Sequence, residues 1–298
     1  MTKILSLDSK AVAELLPKRT PDSNKGSFGK TLLICGSKNM VGCCVLATEG
    51  ALRSGVGIVK LAFPNCLYNS LTARLTENLF IPLETDEDGF ISRKSVSDIL
   101  ISAQSCDTVA VGCGLGTGEG VKALLQELIL NCEKPLVIDA DGLNAISHSL
   151  ELLNERKGET LLTPHPAEMA RLAKTSVAEI EKDREKAVSE FSRKYNVNIL
   201  LKGHETLICN KNADTIYINK TGNTGLSKGG SGDLLTGIIA GLSPQFKGDL
   251  FISGAVGAFI HGFTADLLKE EFTEYSMLPS DCANALPRAF SEILKFAQ

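Results

Sequence analysis

Apolar residues along this chain fall into two recurring patterns. Short runs of aliphatic and β-branched side chains at 31–35, 55–63, 79–83, 107–111, 136–139, 161–163 and 197–201 lack polar alternation and read as strands buried on both faces. Between them, segments with helical apolar spacing predict helices at 10–16, 43–54, 67–73, 95–103, 121–130, 234–242, 249–269 and 281–296. The first follows Ser6-Leu7-Asp8-Ser9, a capping sequence, and stops at Pro17. Segment 176–195 carries dense mixed charge, including Glu181, Arg184 and Glu185, and reads as a helix with a solvated face. After the strand at 197–201 the chain turns into 207–209, and 215–218 extends that hairpin. Strands alternating with helices form βαβ units, which need a parallel sheet with helices on both faces. The expected fold class is therefore α/β: three layers around a mostly parallel central sheet. No linker, repeat or low-complexity run interrupts it, so residues 1–298 are expected to form a single domain.

Composition narrows the function classes. With 43% hydrophobic and 22% charged residues, the chain has the balance of an ordinary soluble globular protein. Nothing resembles a signal peptide, and no apolar run is expected to reach the ~18 residues of a membrane span. A cytoplasmic protein without membrane contact is expected. A formal charge of -4 with scattered Lys and Arg offers no basic face, and the absence of Trp removes a stacking platform, so nucleic acid is not expected as a partner. Nine cysteines stand singly or adjacent among apolar or small residues, without CxxC spacing, which predicts reduced, mostly buried thiols.

Candidate chemistry collects where predicted strands end. The glycine-rich stretch from Gly222 to Asp233 leads directly into a predicted helix. Glycines allow close backbone approach, and free N–H groups in a helix's first turn favour an anion. Asp233 is out of place beside an anion unless it abstracts a proton or merely caps the helix. Two other glycine motifs fail on spacing. Gly26-Ser27-Phe28-Gly29-Lys30-Thr31 ends like a phosphate-binding P-loop, but Asn24 stands where its first glycine belongs and a strand follows. The Gly112 to Gly118 turn imitates a dinucleotide fingerprint, but Thr117 or Glu119 occupies the third glycine's place. Asp141-Gly142, beyond the strand ending at Asp139, fits either a plain turn or an acidic phosphate-side site. His165, between Pro164 and Pro166 at a strand's carboxyl end, sits on a stiffened backbone.

Gly229-Gly230-Ser231-Gly232-Asp233 resembles the anion-hole signature of the ribokinase-like superfamily. In order along the chain, the loop from Gly36 to Gly42, Gly112-Cys113-Gly114-Leu115-Gly116, Asp139-Ala140-Asp141-Gly142, Thr163-Pro164-His165-Pro166, Lys202-Gly203 and the anion-hole motif resemble one branch of it, the ADP- or ATP-dependent NAD(P)H-hydrate dehydratases. Departures are Cys43-Cys44 for two alanines, Cys113 for a proline, Ala167 for a glycine and Lys228 for a threonine. The resemblance implies a lyase that phosphorylates a hydrated NADH or NADPH and expels phosphate, with Asp233 as base. It implies substrate contacts at Cys43, Gly116, His165 and Asp233. Nucleotide contacts fall at Lys202, Gly203, His204, Glu205 and Thr206, and at Gly229, Gly230, Ser231 and Gly232. ADP is the expected donor, ATP its alternative, with Mg2+ and a homo-oligomer, a tetramer in relatives, as companions; no protein metal ligand is expected. Lys228 has two open readings, a point charge for phosphate or extension into solvent. The rivals are a kinase of the same fold acting on a thiazole or pyrimidine alcohol, and a nucleotide sensor without turnover.

Overall fold

In the computed structural model, which describes residues 2–297, ten strands join one sheet. They are β1 (Lys3–Ser6), β2 (Lys30–Ile34), β3 (Ile58–Pro64), β4 (Leu79–Leu83), β5 (Thr108–Val111), β6 (Leu136–Ile138), β7 (Thr160–Leu162), β8 (Asn198–Leu201), β9 (Thr206–Cys209) and β10 (Thr215–Asn219). Their order is β1-β10-β9-β8-β7-β6-β5-β2-β3-β4. Strands β8 through β4 pair in parallel, as do β1 and β10, while β9 runs antiparallel to both of its neighbours. The chain lays down β2, β3 and β4 toward one edge, then restarts at β5 beside β2 and proceeds toward the other. This reversal creates the crevice outside the strands' carboxyl ends where parallel α/β sheets bind ligands.

The helices are α1 (Ser9–Leu15), α2 (Gly42–Arg53), α3 (Tyr68–Thr72), α4 (Val96–Gln104), α5 (Glu119–Asn131), α6 (Ala140–Ile146), α7 (Pro166–Ala173), α8 (Val177–Lys182), α9 (Arg184–Tyr195), α10 (Ser231–Leu242), α11 (Leu250–Leu268) and α12 (Pro279–Leu294). Strand register sorts the core into two faces. Leu33 pairs with Ala110, Ala110 with Val137 and Val137 with Leu161, and all four pack toward α2, α10 and α11. Their neighbours Leu32, Ile34, Val109, Val111, Leu136, Ile138 and Leu162 face α4, α5, α6 and α7 instead. A further apolar layer lies outside α10, where Leu234, Ile238 and Leu242 meet Val12 of α1 and Cys282, Ala283 and Leu286 of α12.

The expected strands are present, and three local expectations need correction. Strand β1 escaped notice because it is a mostly exposed edge without apolar alternation. Segment 140–144 is the helix α6 and not a turn. The charged segment 176–195 breaks at Asp183, whose side chain caps α9 by accepting from Lys186 N at 3.0 Å. Helix α11 fills nearly all of the expected 249–269 segment but is more apolar than expected: by length and composition it could cross a membrane, yet 72% of that window is buried inside the fold. It is apolar all round because it is enclosed by the sheet, α10 and α12.

Helices α2 and α10 meet backbone to backbone. A methyl built on Gly237 would sit 2.1 Å from Ala47 O, one on Gly241 2.4 Å from Ala51 O, and one on Gly50 2.6 Å from Leu234 O. The contact aligns the loop preceding α2 with the loop opening α10, so helix packing sets site geometry. Gly237→Ala is expected to destabilise the protein by about 1–3 kcal/mol through forced helix separation. Gly42→Ala, with nothing within 4 Å of the added methyl, serves as the neutral control. Urea denaturation of both variants checks the difference.

Candidate active site

A cavity of about 820 Å3 opens at the carboxyl ends of the parallel strands. It gathers four of the expected segments: Asp139 with Ala140, His165, the turn Lys202, Gly203, His204, Glu205 and Thr206, and the loop Gly229, Gly230, Ser231, Gly232 and Asp233. Cys43 and Gly116 are not among the lining residues. The Cys43 thiol donates to Met40 O at 3.1 Å and Cys113 O at 3.3 Å. Gly116 N donates to Asp141 Oδ2 at 2.8 Å, and its α-carbon lies against the Phe90 ring. Asp141 therefore ties α6 to the β5 loop.

The opening of α10 is built for an anion. Gly230 occupies the helix cap at φ +99, a left-handed conformation that suits glycine, and no side chain accepts from the first turn. Asp233 does not cap this helix. Ser231 N and Leu234 N are used by Lys228 O and Gly230 O, so the amides of Gly232 and Asp233 keep their hydrogens free of protein partners. Lys228 satisfies neither of its open readings: its Nζ donates to Tyr275 O at 2.7 Å and Met277 O at 2.6 Å, fastening the loop to the segment before α12.

Behind the loop lies a charged cluster that the sequence motifs did not assemble. Lys202 Nζ donates to Asp139 Oδ1 at 2.8 Å and lies 3.8 Å from Glu168 Oε2. Asp139, 1% exposed, also accepts from Thr236 Oγ1 at 2.8 Å and meets the Cys113 thiol at 3.9 Å. Burial alone would raise the Asp139 pKa, but the Lys202 ammonium and the hydroxyls of Thr163 and Thr236 hold it below the usual carboxylate range. Burial would lower Lys202, and the carboxylates of Asp139 and Glu168 raise it instead. Asp233 goes the other way: burial pushes it up to about 6, the Cys113 thiol draws it down, and Asp139 adds repulsion. The signal available for Asp139 was its place at the end of a buried strand; nothing in the sequence paired it with Lys202, 63 positions away.

Two further side chains shape the rim. His165 caps α7 by accepting from Ala167 N and Glu168 N through Nδ1, and Glu168 Oε2 accepts from His165 N in return. With Nδ1 an acceptor, the neutral ring carries its proton on Nε2. Arg184, expected on a solvated face, instead reaches back from α9 and donates to the carbonyls of Leu201, Lys202, His204 and Glu205. Its planar guanidinium spans the turn in which Gly203 and Glu205 take positive φ.

The parallel sheet with its reversal at β2 and β5, and a cavity at the strand ends closed by a glycine-rich helix opening, define a ribokinase-like α/β protein. The family model for NAD(P)H-hydrate dehydratase matches residues 31–288, and the chain belongs to that family. It is 38% identical over 256 residues to the ADP-dependent (S)-NAD(P)H-hydrate dehydratase of Neisseria meningitidis serogroup B, covering 85% of this chain and 81% of that relative. It is 36% identical over 273 residues to the bifunctional NAD(P)H-hydrate repair enzyme of Moorella thermoacetica, covering 91% of this chain. The chain spans about half the length of such bifunctional relatives, 51% in this case. Among solved structures, the ADP/ATP-dependent NAD(P)H-hydrate dehydratase of Bacillus subtilis, co-crystallised with ATP and Mg2+, matches with a TM-score of 0.81 and 28% identity over 97% of this chain and 98% of that one.

The Lys202–Asp139 pair links four elements, so its loss is expected to be felt globally. Lys202→Met should cost about 3–5 kcal/mol near neutral pH by stranding a buried carboxylate. A depressed carboxylate contributes its stability above its unfolded pKa and loses it as pH falls through the folded one. The difference between variant and parent should therefore shrink under acid conditions where Asp139 is protonated in both, as denaturation midpoints across pH will register.

Proposed function

We propose that this chain dehydrates the S-epimer of hydrated NADH or NADPH at the expense of ADP, releasing NAD(P)H, AMP and phosphate. The observation that carries the reading is Asp233: a carboxylate raised to about 6 by burial, next to free helix-opening amides and a lysine. A base of that pKa takes a hydroxyl proton near neutral pH, and the amides accept the charge that develops on the transferred phosphoryl group. The hydrated ring's hydroxyl oxygen attacks the β-phosphoryl of ADP and AMP leaves. The C–O bond to the new phosphate then breaks as the ring nitrogen's lone pair forms an iminium, and loss of a proton from the adjacent ring carbon to solvent turns that C–H pair into the C=C bond of the dihydropyridine. Phosphate leaves where hydroxide would not. The names of the relatives, ADP-dependent in one and ADP/ATP-dependent with ATP and Mg2+ in another, support the donor class.

On this reading Lys202, Gly203, His204, Glu205 and Thr206, with Gly229, Gly230, Ser231 and Gly232, hold the nucleotide, while His165, Cys43, Gly116 and Asp233 address the hydrated cofactor. His165 supports its role by lining the cavity from a rigid helix cap, with its Nε2 3.5 Å from Glu168 Oε1. Among the described residues no three His, Cys, Asp or Glu form a metal-holding group, and Asp139 is spent on Lys202. This donor set fits a Mg2+ carried by the nucleotide's own phosphate oxygens and waters, where it would supply charge neutralisation. The shared sheet supports reading 1–298 as one domain. A cytoplasmic homo-oligomer that uses no nucleic acid or membrane is the accompanying expectation.

Absorbance of the reduced ring, followed with hydrated NADH and matched ADP or ATP, tests the assignment. Faster recovery with ADP is expected; faster recovery with ATP would reverse the donor, and no recovery with either would sink the dehydratase reading. Asp233→Asn is expected to lower turnover by a factor on the order of 100 or more while ADP affinity stays nearly unchanged. In the parent enzyme kcat/KM should rise with pH through about 6, because the base works only when deprotonated. An acid limb that persists in the Asn variant's residual activity would assign that titration elsewhere.

A further inference from the structure

Arg184 sits where its own helix gives no reason for a cation. It is the first residue of α9, after the break at Asp183, and a positive charge there opposes the helix dipole. The one ion pair it forms among the described residues, with Glu181, leaves 3.9 Å between Nε and Oε2, and that nitrogen is buried without a hydrogen bond. The side chain spends its other donors on main-chain oxygens. Its Nη2 donates to Leu201 O at 3.2 Å and Lys202 O at 3.3 Å, and its Nη1 to His204 O and, at 3.4 Å, to Glu205 O. Four carbonyl dipoles converging on one place repel one another unless a cation joins them, and a planar guanidinium reaches all four where a compact ammonium would not. The turn needs such support, because Gly203 stands at φ +143 and Glu205 at φ +54, a left-handed conformation uncommon for a residue with a side chain.

This clamp shapes the other side of the turn. In a trans peptide the carbonyl and the next residue's N–H point in opposite directions. Drawing Lys202 O and His204 O toward Arg184 therefore turns the amides of Gly203 and Glu205 away from it. Neither amide has a protein partner among the described residues. Both residues are exposed and line the cavity, whereas Arg184 does not line it, which leaves the turn standing between the guanidinium and the cavity. We infer that Arg184 is a positioning residue for the nucleotide: by gathering the turn's carbonyls on its own side, it presents the Gly203 and Glu205 amides to acceptor atoms of an adenine nucleotide in the cavity. This rests on the nucleotide site proposed above. Lys202 is fixed by the same contact. Its N–H is bound to Pro164 O at 2.9 Å and its carbonyl to Arg184, so the side chain sets out toward Asp139 from a fixed backbone.

Isothermal titration of the whole chain with ADP, together with the steady-state KM for hydrated NADH, separates this role from a merely structural one. At a temperature where the variant is fully folded, Arg184→Ala should weaken ADP binding about ten-fold or more, as for two amide donors that lose their aim, while KM for hydrated NADH stays within about two-fold. Millimolar guanidinium chloride, far below denaturing concentrations, should restore most of the ADP affinity, and sodium chloride at the same concentration should not. Arg184→Lys keeps the charge but not the planar fork; it should bind ADP nearly as weakly as the Ala variant and replaces it if that does not fold. ADP affinity within about two-fold of the parent in either variant, equal losses for ADP and the hydrated cofactor, or a loss that guanidinium leaves in place would overturn the inference while the nucleotide site stands. Failure of the parent protein to bind ADP would overturn both.

Discussion

The ion pair between Lys202 and Asp139 is the constraint on which this site depends. It joins the turn after β8 to the end of β6, and through Thr236 and Glu168 it reaches α10 and α7. A buried pair of this kind repays its desolvation only when the remaining lone pairs are also satisfied, and here Thr236, Thr163 and Cys113 serve Asp139. The lysine thus enters the cavity wall without carrying a free charge into it. Its field still acts on its neighbours, adding to the burial that lowers the His261 pKa to about 4.

Two carboxylates within one charged neighbourhood have opposite properties for this reason. Asp139 owns the lysine and stays ionised; Asp233 gets burial, repulsion from Asp139 and only a share of Lys202. Pushing the pKa values of paired groups apart is how one site separates a structural anion from a reactive base. The cysteines contribute through size as well as polarity. Cys43 and Cys113 fill places where family resemblance leads one to expect alanine and proline, and the Cys113 thiol touches the carboxylates that alanine or proline could not address.

Rigidity comes from the helices behind the site. Close contact of α2 and α10 through Gly50, Gly237 and Gly241 leaves no room for sliding, so the amides opening α10 are held relative to the sheet. On the opposite flank Arg184 clamps the Lys202 to Thr206 turn through four carbonyls. Preorganised donors of this sort need no rearrangement when charge develops.

Much of this was legible in the chain itself. Buried strands announce themselves by unbroken apolar runs, and the glycine-rich opening of α10 has a composition suited to little else. The order of short motifs located the strand-end loops, and four of those segments share one cavity. What the sequence by itself could not determine were relations between distant residues. Asp139 looked like the end of a strand and Arg184 like part of a solvated face, because linear patterns report each residue's local environment and not its partner. Asp233 could cap a helix or serve as a base on sequence grounds alone. Gly230 takes the cap, which removes the capping reading, and the desolvated, anion-flanked setting on which the proposed base role rests exists only once β5, β6, α2 and α10 have packed together.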